Sequence, residues 1–221
     1  MNFRRHIGLT ALFVALAGCA GPMTLTYSVT SNIAGDGQSF AVFEASERVM
    51  TRRLAGADVR NAVVTVLPSG SGSAVMTLKE PDTAGAATAD RILSEPFTFD
   101  IRLEGPKLPE MLEDETNWLP TGVDGSMLLW VIPIANPDTQ EIGVELQFNE
   151  QGRALLATAF QGNQGKSVGI FVRDLLVSRM MITTDEVAAN IIISGIPSER
   201  VAQIFADDVN VGLHAIFTKT Q

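Results

Sequence analysis

The chain has 221 residues and a formal net charge of −9, from 16 basic and 25 acidic side chains, with one cysteine and two histidines. That balance excludes a nucleic-acid partner, because displacing counterions from phosphates requires a basic face. One thiol and two imidazoles also exclude a disulfide framework, a thiolate metal site and a cluster of histidine ligands.

The chain opens with Arg4 and Arg5, then an uncharged apolar run over 7–17, and residues 16–19 read Leu-Ala-Gly-Cys. A basic stretch, an apolar stretch and a small-residue cleavage site in that order are a secretory signal. The apolar run, about eleven residues, is too short to span a bilayer, which takes about 20. Its end resembles the lipobox of bacterial lipoproteins. The resemblance implies diacylglycerol on the Cys19 thiol, cleavage just before it and acylation of the new amino group. Residues 1–18 are then a leader and 19–23 a lipid-anchored tether. Several acyl chains anchor a protein stably where one holds it only marginally. Ala20 stands where an aspartate would be expected to retain a lipoprotein in the inner membrane, which points to the outer membrane, facing the periplasm. Loss of Arg4 and Arg5 makes the mature chain still more acidic, so the acyl anchor and not a basic surface must do the membrane work. Lipidation of Cys19 also removes the one thiol that could serve as a nucleophile.

The mature chain is long enough for one or two conventional cores, and two small subdomains are expected. Leu25, Tyr27 and Val29 alternate with Thr and Ser residues, the period of a half-buried strand. Residues 32–39 form a loop, and over 40–54 Phe43, Met50 and Leu54 recur at helical spacing, with Arg52 and Arg53 in the last turn. Residues 62–67 and 74–78 read as a hairpin around the flexible 68–73, residues 84–93 as a short Ala-rich helix, and 97–103 as an alternating strand. This β-α-β-β-α-β order is that of one ferredoxin-like unit, here 24–104.

Residues 105–125, with three prolines, an acidic run and Trp118, read as a linker to a second α+β unit over 126–221. Strands are expected at 126–134 and 141–148, a helix at 149–160, and strands at 167–172, 175–182 and 190–194. Ser198 is placed to N-cap a last helix with Val201, Ile204, Phe205 and Val209 as its apolar stripe.

The second unit carries an ordered set of residues: Gly143-Val144-Glu145-Leu146 with Phe148 and Gly152; Asn163-Gln164-Gly165-Lys166 opening a strand; Val177-Ser178 and Ile182; Ile193-Ser194-Gly195; then Ser198, Ala202 and Ala206. The set resembles the large periplasmic domain of SecD, the accessory membrane subunit of bacterial Sec protein export. Further upstream, Arg52-Arg53-Leu54, the hairpin, the strand at 97–103 and Thr121-Gly122 are similar to that domain's base. The resemblance implies an α+β fold, with a ferredoxin-like base and a smaller head moving as rigid bodies. It also implies a part in export, with Sec translocon components or a translocating polypeptide as partners. Gln164, Lys166, Arg173 and Arg179 are the head residues expected to make polar contacts with them. Departures are Arg173 where the family usually carries Asp, and Arg179-Met180 in place of an Ala-Pro pair. The family's proton-driven membrane helices have no counterpart up to Gln221, so holding or guiding polypeptide is the expected role, with a structural lipoprotein that kept only the fold as the alternative.

Residue types that carry catalysis are sparse. GNQGKS over 162–167 lacks the first glycine of a phosphate loop, Phe160 standing there, and follows a helix instead of opening one, so a tight turn at Gly165 is expected. His214 is the one imidazole beyond the leader and is expected at the rim. Glu110, Glu113, Asp114 and Glu115 lack the alternating oxygen ligands of a calcium loop and read as a solvated run. Ser71 lies outside any strand-turn-helix elbow. Trp118 and Trp130 form either an apolar platform or part of the core. No catalytic set, cofactor or metal is expected.

Overall fold

A computed structural model describes residues 23–33, 35–59, 62–70, 72–80, 83–185 and 190–220. Cys19, Ala20 and Ser71 lie outside them. The elements begin with β1 (Met23–Ser31), α1 (Asp36–Gly56), β2 (Val63–Gly70), β3 (Ser73–Glu80), α2 (Thr83–Ser94), β4 (Phe99–Glu104) and β5 (Trp118–Asp124). They continue with β6 (Leu128–Ala135), β7 (Ile142–Phe148), α3 (Glu150–Phe160), β8 (Ser167–Val172), β9 (Leu175–Met181), β10 (Asn190–Ile193), α4 (Glu199–His214) and β11 (Ala215–Lys219).

The base sheet runs β11-β1-β3-β2, antiparallel throughout. Alternation sends Leu25, Tyr27 and Val29 inward, where they meet Met76 and Leu78 of β3 under α1 and α2. Helix α1 has two apolar stripes because it has two neighbours. Phe43, Met50 and Leu54 pack on the sheet, while Ala45 and Val49, four apart, pack on Val211 of α4. The Tyr27 hydroxyl donates to Asp90 of α2, whose carboxylate also pairs with Lys219 of β11 at 2.5 Å. Those two partners, Lys219 foremost, hold the Asp90 carboxyl below its ordinary range.

The head encloses a separate core. Phe99 and Ile101 of β4 and Val168 and Ile170 of β8 face Val144, Leu146 and Phe148 of β7. Leu156 of α3 and Ala202, Ala206 and Val209 of α4 close it. Both helices have side-chain N-caps: Asn149 Oδ1 accepts from Gly152 N at 2.8 Å and Ser198 Oγ from Val201 N at 3.3 Å.

The mixed α+β class and most elements match the sequence reading, and three placements correct it. Strand β4 does not complete the base sheet; it joins β5-β4-β8-β9, and β11, which periodicity did not reveal, takes the fourth base position. The head is therefore inserted between α2 and β11. Second, the end of the expected linker folds as β5, an edge strand beside β4. Third, the α4 stripe is shifted: Ala202, Ala206 and Val209 are buried while Val201 is 43% exposed. That face packs on β6 and β7 in the head core, while α1 meets α4 at Val211 instead.

Candidate functional site

Gln164, Lys166, Arg173 and Arg179 frame the β8–β9 hairpin without forming one cluster. Gln164 and Lys166 are exposed in the turn from α3 to β8, where Lys166 Nζ donates to Asn163 Oδ1 at 2.8 Å. Gly165 takes φ 83° there, as a tight helix-to-strand turn requires, and Gly162 N is occupied by Asp185 Oδ1 at 3.0 Å. Arg173 lies at the far end of β8, roughly 20 Å away at the usual rise per strand residue. Arg179 sits across from Gly169, on the outer face of the sheet.

That outer face carries a small cover of its own. Trp118 of β5 meets Phe171 of β8 edge-on with ring centroids 5.5 Å apart, and Leu176 of β9 closes beside them. Beneath lies Gly169, where a Cβ would come within 2.7–2.9 Å of Phe171, Leu176 and Trp118, so the cover exists because the residue there is glycine. Arg102 stacks 4.1 Å over Phe171 and binds Asp100 and Asp174; Arg179 lies 5.7 Å over Trp118 and pairs with Glu104 at 3.0 Å. Hydrogen bonds from Ser167, with Arg179 adding its charge, keep the Glu104 carboxyl below its ordinary range. Trp130 is on a different sheet, stacked on His214, so the two tryptophans make no shared platform.

Strand β9 is the free edge of this sheet among the described residues. It is seven residues long, has no proline, and exposes Leu175, Leu176, Val177 and Met181 at 70%, 46%, 44% and 63%. An edge strand offers unpaired N–H and C=O groups to another chain unless something blocks it. Three of the other edges are interrupted: β5 contains Pro120, β6 contains Pro133, and β2 contains Pro68 and has Val66 N capped by Glu47 Oε2 at 2.9 Å; the remaining edges, β10 and β11, contain no proline.

Behind the β8–β9 turn, a cleft of about 370 Å³ opens where base and head meet. Arg53, Glu95, Phe97, Arg173 and Gly212 are among its walls. Phe97 is seated by Gly212 of α4, where a Cβ would fall 2.2 Å from the ring. Beside the cleft, α1 and α4 are clamped by charge. Arg48 binds Asp207 bidentately at 2.9 Å, Arg52 reaches both Asp207 and Asp208, and Arg53 binds Asp208 at 3.1 Å. Asp207 is almost wholly buried within this pairing. No local pattern signals the clamp, since its partners lie more than 150 residues apart.

His214 is buried, which corrects its expected rim position. It ends α4, with Nε2 2.9 Å from Leu129 O and Nδ1 2.9 Å from Asn32 Oδ1. Burial lowers its pKa and outweighs the opposing pull of the Leu129 carbonyl. The acidic run folds on itself, with Glu115 Oε2 accepting from Leu112 N at 3.0 Å. No helix among the described residues is long and apolar enough to cross a membrane.

Neither a family profile nor a curated protein matches the sequence. Among solved structures, the chain is similar to SecDF, a translocon-associated membrane protein from Thermus thermophilus. The two share 15% identity, with a TM-score of 0.55 over 90% of this chain and 30% of that one. SecDF in a super-membrane-facing form aligns at 15% identity with a TM-score of 0.48, over 90% of this chain and 30% of that one. A further SecDF structure, described as a membrane component that enhances protein export, aligns at 13% with a TM-score of 0.47, covering 89% of this chain and 98% of that one. The chain thus spans 30% of the length of two of these structures. At such identity the likeness is one of fold. The described residues share the fold of the aligned part of SecDF.

Proposed function

We propose that this protein is an envelope lipoprotein, anchored through Cys19, whose SecD-like body holds extended polypeptide in protein export without catalysing a reaction. The observation that carries the reading is β9, a seven-residue, largely apolar edge without the proline found on β2, β5 and β6 or the side-chain cap found on β2. An extended segment added there gains main-chain hydrogen bonds that tolerate any sequence, while Leu175, Val177 and Met181 offer apolar contact. The lipobox supports attachment to a membrane, and the likeness to SecDF supports the link to export. Sec translocon components are the partners this reading implies. The second reading is a structural or assembly lipoprotein that kept the fold without an export role. It draws on Arg173 and Arg179-Met180, where the sequence departs from the SecD pattern.

A photo-cross-linking residue at Val177 in the native host tests the choice. Adducts with secretory chains caught in export are expected. Adducts confined to envelope-assembly proteins would overturn the export reading in favour of the second. Mass spectrometry of the mature N-terminus checks the anchor: an acylated Cys19 is expected, and a free thiol or an intact leader refutes it.

A further inference from the structure

The β8–β9 hairpin turns through Arg173 and Asp174, both at positive φ, 50° and 61°. Two-residue hairpin loops with positive φ at both central positions favour Asn-Gly, and a long side chain there is held against its preference by its surroundings. The surroundings are visible. Arg173 N donates to Thr98 O at 2.9 Å, and the Asp174 carboxylate accepts from Arg102 at 2.6 Å. The turn is thereby fixed with Arg173 in the wall of the base–head cleft, its guanidinium 5.4 Å over the Phe97 ring.

Arg173 is not satisfied there. Its Nε is buried without a hydrogen-bond partner, and it forms no ion pair among the described residues. Every other arginine of this region has a carboxylate: Arg53 shares Asp208 with Arg52, and Arg102 holds Asp100 and Asp174. Across the cleft Arg53 is disfavoured in its charged form, by burial first and then by the charge of Arg173. Glu95 is the one acid in the lining, against Arg53 and Arg173, so the lining holds one cation too many and a donor that needs an oxygen. Its 370 Å³ has room for a side chain together with several waters, each about 30 Å³.

We infer that the base–head cleft is an oxyanion site, in which Arg173, backed by Arg53, receives a carboxylate of the polypeptide held along β9. One uncompensated positive charge suits a singly charged carboxylate better than a phosphate dianion. Arg173 lies two residues before β9 begins, so an acidic residue or chain terminus at that end of an added strand is the group that reaches it. The inference rests on the polypeptide-binding reading above and deepens it, giving preference to acidic segments.

The test uses the lipid-free mature chain and two fluorescent twelve-residue β-prone peptides that differ only by a terminal Glu or Gln. Native protein is expected to bind the Glu peptide about tenfold more tightly, the gain of one charge-assisted pair. R173Q is expected to bring the ratio of Glu-peptide to Gln-peptide affinity to about one, whatever its effect on either affinity alone, and R173K restores part of the ratio. A Glu/Gln ratio that survives R173Q overturns the site. Titration of ¹⁵N-arginine-labelled protein with acetate separates this failure from that of the parent reading. If neither peptide binds but acetate moves the Arg173 Nε resonance, the cleft is right and the strand-addition reading is wrong. If acetate leaves that resonance in place, or inorganic phosphate alone moves it, the carboxylate site is wrong.

Discussion

Strands β2 and β9 are both exposed edges, eight and seven residues long, and both show apolar side chains to solvent, Leu67 at 63% and Leu175 at 70%. They differ in how their backbones are treated. On β2 the free Val66 N–H is taken by Glu47 of α1, and Pro68 interrupts the ladder just before the register shifts. On β9 no proline occurs and no side chain among the described residues caps an N–H. Edges invite unwanted pairing, and natural proteins block them where they have no use for it. A chain that caps one edge and sets a proline in it, and does neither on another, leaves the second more open to pairing, which exposure alone would not reveal.

Blocking β9 should have the largest effect. Lys at both Val177 and Met181 places charge on an apolar edge without touching the core, and should weaken binding of the Gln peptide by about 30-fold, roughly 2 kcal/mol. Fluorescence anisotropy reads the loss, and an unchanged melting temperature would show that the fold is intact. Next comes the support of that edge. Gly169→Ala forces Trp118, Phe171 and Leu176 apart and should cost about 1–3 kcal/mol of stability, read by denaturant unfolding. Unblocking β2 by Glu47→Ala with Pro68→Val should cost about 1 kcal/mol, for the lost cap on Val66 N–H, and create a second pairing edge. Sedimentation should then show dimers, or peptide titration a second site; neither would mean that these two residues do not guard the edge.

The smallest effect is a pH dependence that β9 does not share. Burial lowers the pKa of His214 in the folded state, so the unfolded chain binds its proton first as pH falls. Its contribution is present above the ordinary histidine pKa of about 6.5 and is lost as pH falls through its lowered folded value. The depressed carboxyls of Asp90 and Glu104 lose theirs only below the ordinary carboxylate range. Stability measured from pH 7.5 to 5 should therefore fall slightly, and His214→Gln should flatten that slope while peptide affinity at β9 stays constant.

Much of the architecture was legible along the chain. Phe43, Met50 and Leu54 marked the base helix, Asn149 and Ser198 marked helix starts, and the alternation in 97–103 marked a strand. The candidate site was legible only in pieces. Arg173 and Arg179 lay in the right hairpin, but nothing local separated the arginine in the cleft from the one stacked on Trp118. His214 looked like a terminal surface residue because its burial comes from Leu129 and Asn32, both distant in sequence.

The sequence by itself determined most of the helices and strands and which of their faces are apolar, because these are short-range matters of periodicity, capping and composition. Tertiary structure alone decided that β11 and not β4 closes the base, that α1 is clamped to α4, and that β9 is left as an open edge. The physical reason is that alternation fixes the face a strand buries but not the neighbour it pairs with. Every strand offers the same backbone donors and acceptors, and only the packing of the whole chain selects among them.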